Sequence, residues 1–435
     1  MEWVQTLSGA ISTPIGFMAL VIFLFFFSIV LLRNISLGLL FLIFSIPLSP
    51  EVSGIFGSDI PVRIDDMLII ALFLVWIMRL GAGSAQFYGT PLSFPIIIFY
   101  TFMVSSTVIG YGFKHTITDI KYPVLVLLKN FEYYAIFFLV ANNIQTRKQV
   151  RSSLNYWMIA YFFVIIYGII EHNLFPADRL YEHGLYDSQS NHMGGYLMIT
   201  TTMAIALFFS GKNIKAKMIY LLLVIASLYV FIFNQSKESY ISFSVSFVLV
   251  FLLLKRRFLL VPLVFLLAVF VMVPYIFPYS GPAESIEIVK KDTLKFDIDK
   301  NIPTSADIRR DNIAYAIQSL PENPLVGRGT GYQGMARYES QICMLLSEEG
   351  IIGSAIFLWL IFRILIYGLK IFITSKDLYF KCLSGAFLAA FFGIIVQSVA
   401  CTAWMITFIM GPFWFFAGIM VAIDRINKRE LYAVR

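Results

Sequence analysis

Thirteen stretches of this sequence are apolar over, or close to, the length a membrane crossing demands, and that constrains the fold more than any motif. A helix needs about 20 apolar residues to span a bilayer, within a range near 17–25. The stretches are 14–32, 35–48, 66–79, 93–112, 123–143, 153–171, 193–211, 217–234, 239–254, 258–277, 348–369, 382–400 and 404–423. Charged residues make up only 14% of the 435-residue chain and mean hydropathy is +0.80. A soluble domain carries roughly 25% charged residues, so this chain lacks the polar surface to stay in water. The expected fold is an all-α polytopic membrane protein with about 12–13 transmembrane helices, a single integral-membrane domain over residues 1–435. No A-x-A-like cleavage site follows the first apolar run, which reads as a retained helix. Cys343, Cys382 and Cys401 are too few, and too apolar in setting, for a disulfide framework or a metal site.

Lysines and arginines orient the spans. "TRKQVR" at 146–151, "GKNIKAK" at 211–217, "KRR" at 255–257, "KDLYFK" at 376–381 and "DRINKRE" at 424–430 fall on one side. By the positive-inside rule that side is the cytoplasm. The formal charge of +7 therefore reads as topology, and no nucleic-acid partner is expected. The other face receives a turn at 234–239 and one long loop, 278–338, expected to carry short helices. In a bacterium that loop would lie in the periplasm.

The long loop holds eight acids and eight bases, so it is no general trap for polyanions. Within it, "SADIRRDNIAYAIQSL" reads as a helix with Ser305 as N-cap and Pro321 as its stop. Ile313, Ile317 and Leu320 lie within about 60° of one another on a helical wheel. Arg309 and Arg310 flank that stripe, which is expected to face the membrane domain. Two accounts fit them: they snorkel to the headgroup boundary, or they form a fork for phosphate. Next comes "ENPLVGRGTGY", in which Gly327 and Gly329 bracket Arg328. Glycines can bring backbone N–H groups close to an anion. A Walker loop is excluded, because Gly-x-x-x-x-Gly-Lys-Ser/Thr is absent and no nucleotide is expected outside the cytoplasm.

In the following "RYESQICMLLSEEGIIGSAIFLW", Glu339, Cys343, Leu346, Gly350 and Gly353 share a helix face about 80° wide. Small residues mark a face that packs on other helices. Glu339 either looks into the bundle from that face or is a solvated acid at a helix start. Glu348 and Glu349, at membrane depth, need partners or water. "NQSKES" at 234–239 is a tight turn with Lys237 at its tip, and "YEHGLYDSQSNHMGGY" brings Asn191 and His192 to the start of a span. No zinc-ligand spacing accompanies them. "RIDD" at 63–66 reads as a helix cap, and Lys129 with Glu132 as an i,i+3 pair.

Taken in order, the turn "NQSKES", the loop "RRDNIAYAIQSLPENPLVGRGTGY", the helix "YESQICMLLSEEGIIG" and the earlier "SQSNHMGGYL" resemble the O-antigen ligase and O-antigen polymerase superfamily of bacterial surface-polysaccharide assembly. The likeness covers residues 180–355 in motif and the whole chain in topology. It implies a C-type glycosyltransferase fold and a donor glycan carried on undecaprenyl pyrophosphate, with no cofactor and no metal. It also implies a base for the incoming hydroxyl and cations for the pyrophosphate. On this chain those are Glu339 as catalytic base and Lys237, Arg309, Arg310 and Arg328 at the pyrophosphate. Asn191, His192, Gly327, Gly329 and Tyr338 are the implied substrate contacts. Lipid-linked donor and acceptor are the expected partners, with a chain-length regulator protein as a further one.

Two departures from the family pattern matter. Ser236-Lys237 stands where the family has Ser-Arg, which keeps charge but loses bidentate geometry. Glu339 stands where ligases carry histidine, which is more similar to the polymerases. Sixteen residues separate Arg310 from Gly327, and which arginine is the family's counterpart is open. The competing class is a flippase or secondary transporter. Transporters tend to repeat internally around the midplane, whereas here no repeat is found and the polar residues concentrate in one late loop.

Overall fold

The structure, a computed structural model, describes residues 32, 34–49, 51–52, 62–174, 190–234, 236–256, 305–332, 338 and 340–433. The spans expected at 258–277 and over most of 14–32, and the first part of the long loop, lie outside the described residues. A short helix α1 (Ile35–Leu48) is followed by a two-residue antiparallel pair, Glu51–Val52 with Val62–Arg63. Then come α2 (Ile64–Gly81), α3 (Ser93–Gly112), α4 (Lys121–Asn143), α5 (Arg147–Leu174), α6 (Ser190–Ser210), α7 (Ile214–Asn234) and α8 (Lys237–Leu253). After the undescribed stretch follow α9 (Ser305–Ser319), α10 (Gln341–Glu348), α11 (Gly350–Thr374), α12 (Leu378–Gln397) and α13 (Thr407–Ala433). Among the described residues eight helices are long and apolar enough to cross a membrane. The chain is an all-α, multi-pass membrane protein.

The bundle is organised around α6 and α13, which are buried along nearly their whole length, whereas α7 and α11 form the periphery. The sequence of α6 explains its position. Its threonines bond across to neighbouring helices: Thr201 Oγ1 lies 2.6 Å from Tyr161 Oη and 2.8 Å from Ser227 Oγ, and Thr202 Oγ1 lies 3.0 Å from Ser246 Oγ. Such interhelical bonds contribute about 0.6 kcal/mol each in a membrane, where lipid removes the usual hydrophobic drive between helices. On α13, Phe413 and Trp414 meet Phe387, Phe391, Trp404 and Tyr134 in stacked or edge-to-face pairs. That geometry favours aromatic rings beyond their simple burial.

The loops sort to two ends. Arg147 at the start of α5 pairs with Asp377 before α12 and with Glu430 near the end of α13. Arg425 donates to the carbonyls of Ala141 and Ile144, and Arg256 lies over Phe209. The cation-rich segments thus share one end, as their charge pattern anticipates. The opposite end collects the starts of α2, α4, α6, α8 and α13 and the ends of α3 and α12.

Candidate functional site

At that opposite end the chain from Leu320 to Tyr332 lies flat against the break between α10 and α11. Its backbone donors are taken up within the protein. Gly327 N donates to Asn323 O, Arg328 N to Ser347 O and Gly329 N to Glu348 O. Thr330 N donates to Ser106 Oγ and Gly331 N to Glu348 Oε2 at 2.9 Å. Gly327 and Gly329, read from the sequence as bringing N–H groups to an anion, instead use those groups to pin the loop. Gly327 has φ +67°, and a Cβ there would collide with the backbone carbonyl of Glu348. Gly350 is its counterpart, with φ +63° and its Cβ position 2.5 Å from Gly327 N. These two glycines let two backbones pass in contact. They also break the helix: the continuous helix expected across Glu339 to Gly353 is divided at Glu349, where Ile351 N and Ile352 N bond to Pro324 O and Leu325 O, while the span expected at 348–369 stands as α11.

Two acids staple the loop. Glu348 accepts from Gly331 N, and Glu349 accepts from the Thr330 hydroxyl. Both are buried, at 5% and 2% exposure, and precede the apolar span that begins at Gly350. Burial pushes the Glu348 carboxyl up to about 8, offset in part by the Gly331 N–H, and the Glu349 carboxyl up to about 7, offset by Thr330. Removing a carboxylate from water disfavours its charged form unless partners replace the solvent. Glu349 lines a cavity of about 20 Å³ together with Asn130, Tyr133, Thr330 and Gln341.

The Arg328 side chain runs from the pinned loop to α9 and is only 11% exposed. Its guanidinium donates to the hydroxyls of Tyr315 and Tyr332 and pairs with Glu322 at 2.5 Å. It also lies 4.9 Å above the Tyr332 ring. Tyr315 belongs to α9, so Arg328 ties that helix to the loop. The docking face of α9 differs from the one its wheel suggests. Ala316 is buried against Tyr338, Cys343 and Met344, while Ile313 and Ile317 are 47% and 62% exposed. The small Ala316 allows close approach to α10, and the isoleucines turn away from the bundle. Tyr338 is buried in the α9–α10 seam, and burial raises its phenol above the ordinary range. Arg310 stands mostly exposed, 3.7 Å from Asp311.

The motifs near residues 191 and 237 meet at the same end of the bundle. Ser236 caps α8, its Oγ accepting from Ser239 N. Ser239 Oγ donates to Asn191 O at 3.4 Å, and Gln397 Nε2 donates to the same carbonyl at 3.0 Å. The next carbonyl, Ser398 O, accepts from Gln341 N at the first residue of α10. A relay from α8 through α6 and the end of α12 thus reaches the helix that residue 339 precedes. Gln397 has no signal in the sequence, since a lone glutamine at a span end carries no pattern. His192 lies half-buried on the first turn of α6. Glu339 and the side chains of Lys237 and Arg309 lie outside the described residues.

Beside this region Asp66 caps α2 by accepting from Arg63 N at 2.9 Å, as "RIDD" suggests. Lys129 pairs with Glu132 at 3.3 Å and also with Asp66, so the helical pair is one arm of a three-residue network.

Fold and site together define a polytopic membrane protein whose polar machinery is gathered at one end of its bundle around a pinned, arginine-bearing loop. Residues 221–358 match the family model described as O-Antigen ligase. The match runs from within α7, through the Lys237 turn and the pinned loop, to the first part of α11. Over that segment the match supports the resemblance to the O-antigen ligase and polymerase superfamily. No curated protein matches the chain.

Proposed function

We propose that this protein polymerises undecaprenyl-pyrophosphate-linked oligosaccharide repeat units into O-antigen or a related exopolysaccharide, at the periplasmic face of the bacterial inner membrane. The observation that carries the reading is the relay just described. It joins the turn at Lys237 and the start of α10, both within the segment that matches the ligase family, through the entry to α6 and the end of α12.

In this reaction a hydroxyl of the acceptor repeat unit attacks the anomeric carbon of the donor glycan. Glu339 takes the hydroxyl proton as the new C–O bond forms. The bond from the anomeric carbon to the pyrophosphate oxygen breaks, and its electron pair leaves on undecaprenyl pyrophosphate. Lys237, Arg309, Arg310 and Arg328 meet the charge that builds there, the role preorganised cations serve best in a site shielded from water. Arg328 comes to that task already oriented by two tyrosine hydroxyls and Glu322.

The test is reconstitution. Purified protein in nanodiscs, given only a lipid-linked repeat unit, should yield a ladder of lengthened glycans and release undecaprenyl pyrophosphate, and should do so after EDTA treatment. Glu339→Gln should abolish the ladder while the protein remains monodisperse. A single transfer to a different acceptor would make the enzyme a ligase. Movement of the lipid-linked unit across the bilayer with no new glycosidic bond would make it a flippase. An undiminished ladder from Glu339→Gln would remove that residue from the mechanism.

A further inference from the structure

The end of the bundle away from the candidate site carries an open groove of about 410 Å³, lined by Arg147, Lys148, Arg151, Ser152 and Asn155 on the first turns of α5. Arg147 is committed to Asp377 and Glu430 and lies 4.8 Å over the Phe380 ring. Arg151 lies 5.0 Å over the Tyr379 ring. Among the described residues no carboxylate pairs with Lys148 or Arg151, so the groove holds two uncompensated cations. Asn155 Oδ1 accepts from Tyr220 Oη at 3.2 Å, which leaves the amide N–H groups of Asn155 to donate. The start of a helix adds its positive end to the same place.

Beyond the groove the same strip of α5 becomes apolar. Ile159, Phe162 and Ile166 follow at helical spacing and are 45%, 46% and 37% exposed. A strip that is cationic for two turns and greasy for the next two is complementary to a molecule with an anionic head and a hydrocarbon tail. A soluble anion would use only the first half. A zwitterionic head would bring its ammonium against Lys148 and Arg151.

We propose that this groove is a binding site for an anionic phospholipid. The phosphate sits between Lys148 and Arg151, which can grip it through a guanidinium fork, with the Ser152 hydroxyl and the Asn155 amide donating to its oxygens. One acyl chain runs along Ile159, Phe162 and Ile166. Basic pockets between transmembrane helices hold anionic headgroups in this way. The site is separate from the glycan chemistry and does not depend on it.

Native mass spectrometry of the full-length protein, released from nanodiscs containing equal amounts of phosphatidylglycerol and phosphatidylethanolamine, tests the assignment. The wild type should retain phosphatidylglycerol in preference. Lys148→Gln with Arg151→Gln should lower that preference about 30-fold, given the electrostatic pull of each basic residue at a membrane surface. Both side chains are exposed, so the fold should not suffer. Lys212→Gln with Lys370→Gln, which removes the same charge from other exposed positions, should leave the preference intact. Equal retention of the two lipids, or an unchanged preference in the groove variant, overturns the site. So does an equal loss in the control pair. Displacement of the lipid by millimolar glycerol phosphate would reassign the groove to soluble phosphates.

Discussion

Replacing Gly327 by alanine puts the pinned loop to a quantitative test. Two costs act together. A left-handed backbone is unfavourable for an L-residue by about 1–2 kcal/mol, and Gly327 has φ +67°. The new Cβ would also press on the Glu348 carbonyl. That obstacle is backbone and cannot rotate away, and forced overpacking typically costs about 1–3 kcal/mol. A combined loss of about 3 kcal/mol corresponds to roughly a 100-fold rise in the population of the opened loop. Amide hydrogen exchange in detergent or nanodiscs reads that population directly. The amides of Arg328, Gly329 and Gly331, which bond Ser347 O, Glu348 O and Glu348 Oε2, should exchange roughly 100-fold faster, while those of α6 should not change. Gly327→Asn separates the two costs, because asparagine tolerates the left-handed region yet still carries a Cβ. It should fall short of alanine by the backbone contribution alone. Gly112→Ala is the control, since no heavy atom lies within 4 Å of its Cβ position. Wild-type exchange at residues 328–331 in Gly327→Ala would refute the close-packing account of the loop.

The acids beneath the loop predict a pH response. The Glu348 carboxyl titrates near 8 when folded against a reference value of 4.5, so between those values the folded state binds more protons. Loop stability should therefore be greatest below about pH 4.5 and fall as pH rises through about 8. Exchange at Gly331 followed from pH 5 to 9, corrected for intrinsic rate, should show that decline, and Glu348→Gln should flatten it; an identical slope in the variant would discard the linkage. Arg328→Ala removes two tyrosine contacts and one carboxylate contact. With charged hydrogen bonds worth about 1.5–3 kcal/mol, it should lower kcat for polymerisation by at least about tenfold, and Arg328→Lys should recover only part of it; wild-type kcat in both would take Arg328 out of the site.

Much of the bundle was legible in the sequence because lipid imposes one rule: long apolar runs must be helices that satisfy their own backbone. Hence 93–112 coincides with α3, and most other described spans match within a few residues. Features set by contacts between distant segments were hidden. Gly350 reads as a small residue inside a span, and only the backbone of Leu325 to Gly327 pressing on it reveals a break. The docking face of α9 differs from its helical wheel for a related reason. A wheel ranks Ile313 and Ile317 above Ala316 by hydrophobicity, whereas docking against Met344 and Tyr338 requires the smaller side chain. Gln397 left no trace because its partner, the Asn191 carbonyl, belongs to the backbone and has no side-chain signature.

The short motifs are weak separately yet fit one another. Gly194 is the seat for Ser239 and Asn234, Gly327 for the Glu348 carbonyl, and Gly353 for Phe102 and the Glu349 Cβ. Gly194 and Gly327 each lie in one motif while the atom filling the missing side chain comes from another. In "ENPLVGRGTGY" the glycines and Thr330 are therefore explained by packing, and Arg328 joins the loop to α9 through Tyr315. On the proposed mechanism, Lys237→Gln and Glu339→Gln should lower the rate of glycan transfer while exchange at the Gly331 amide stays at its wild-type value.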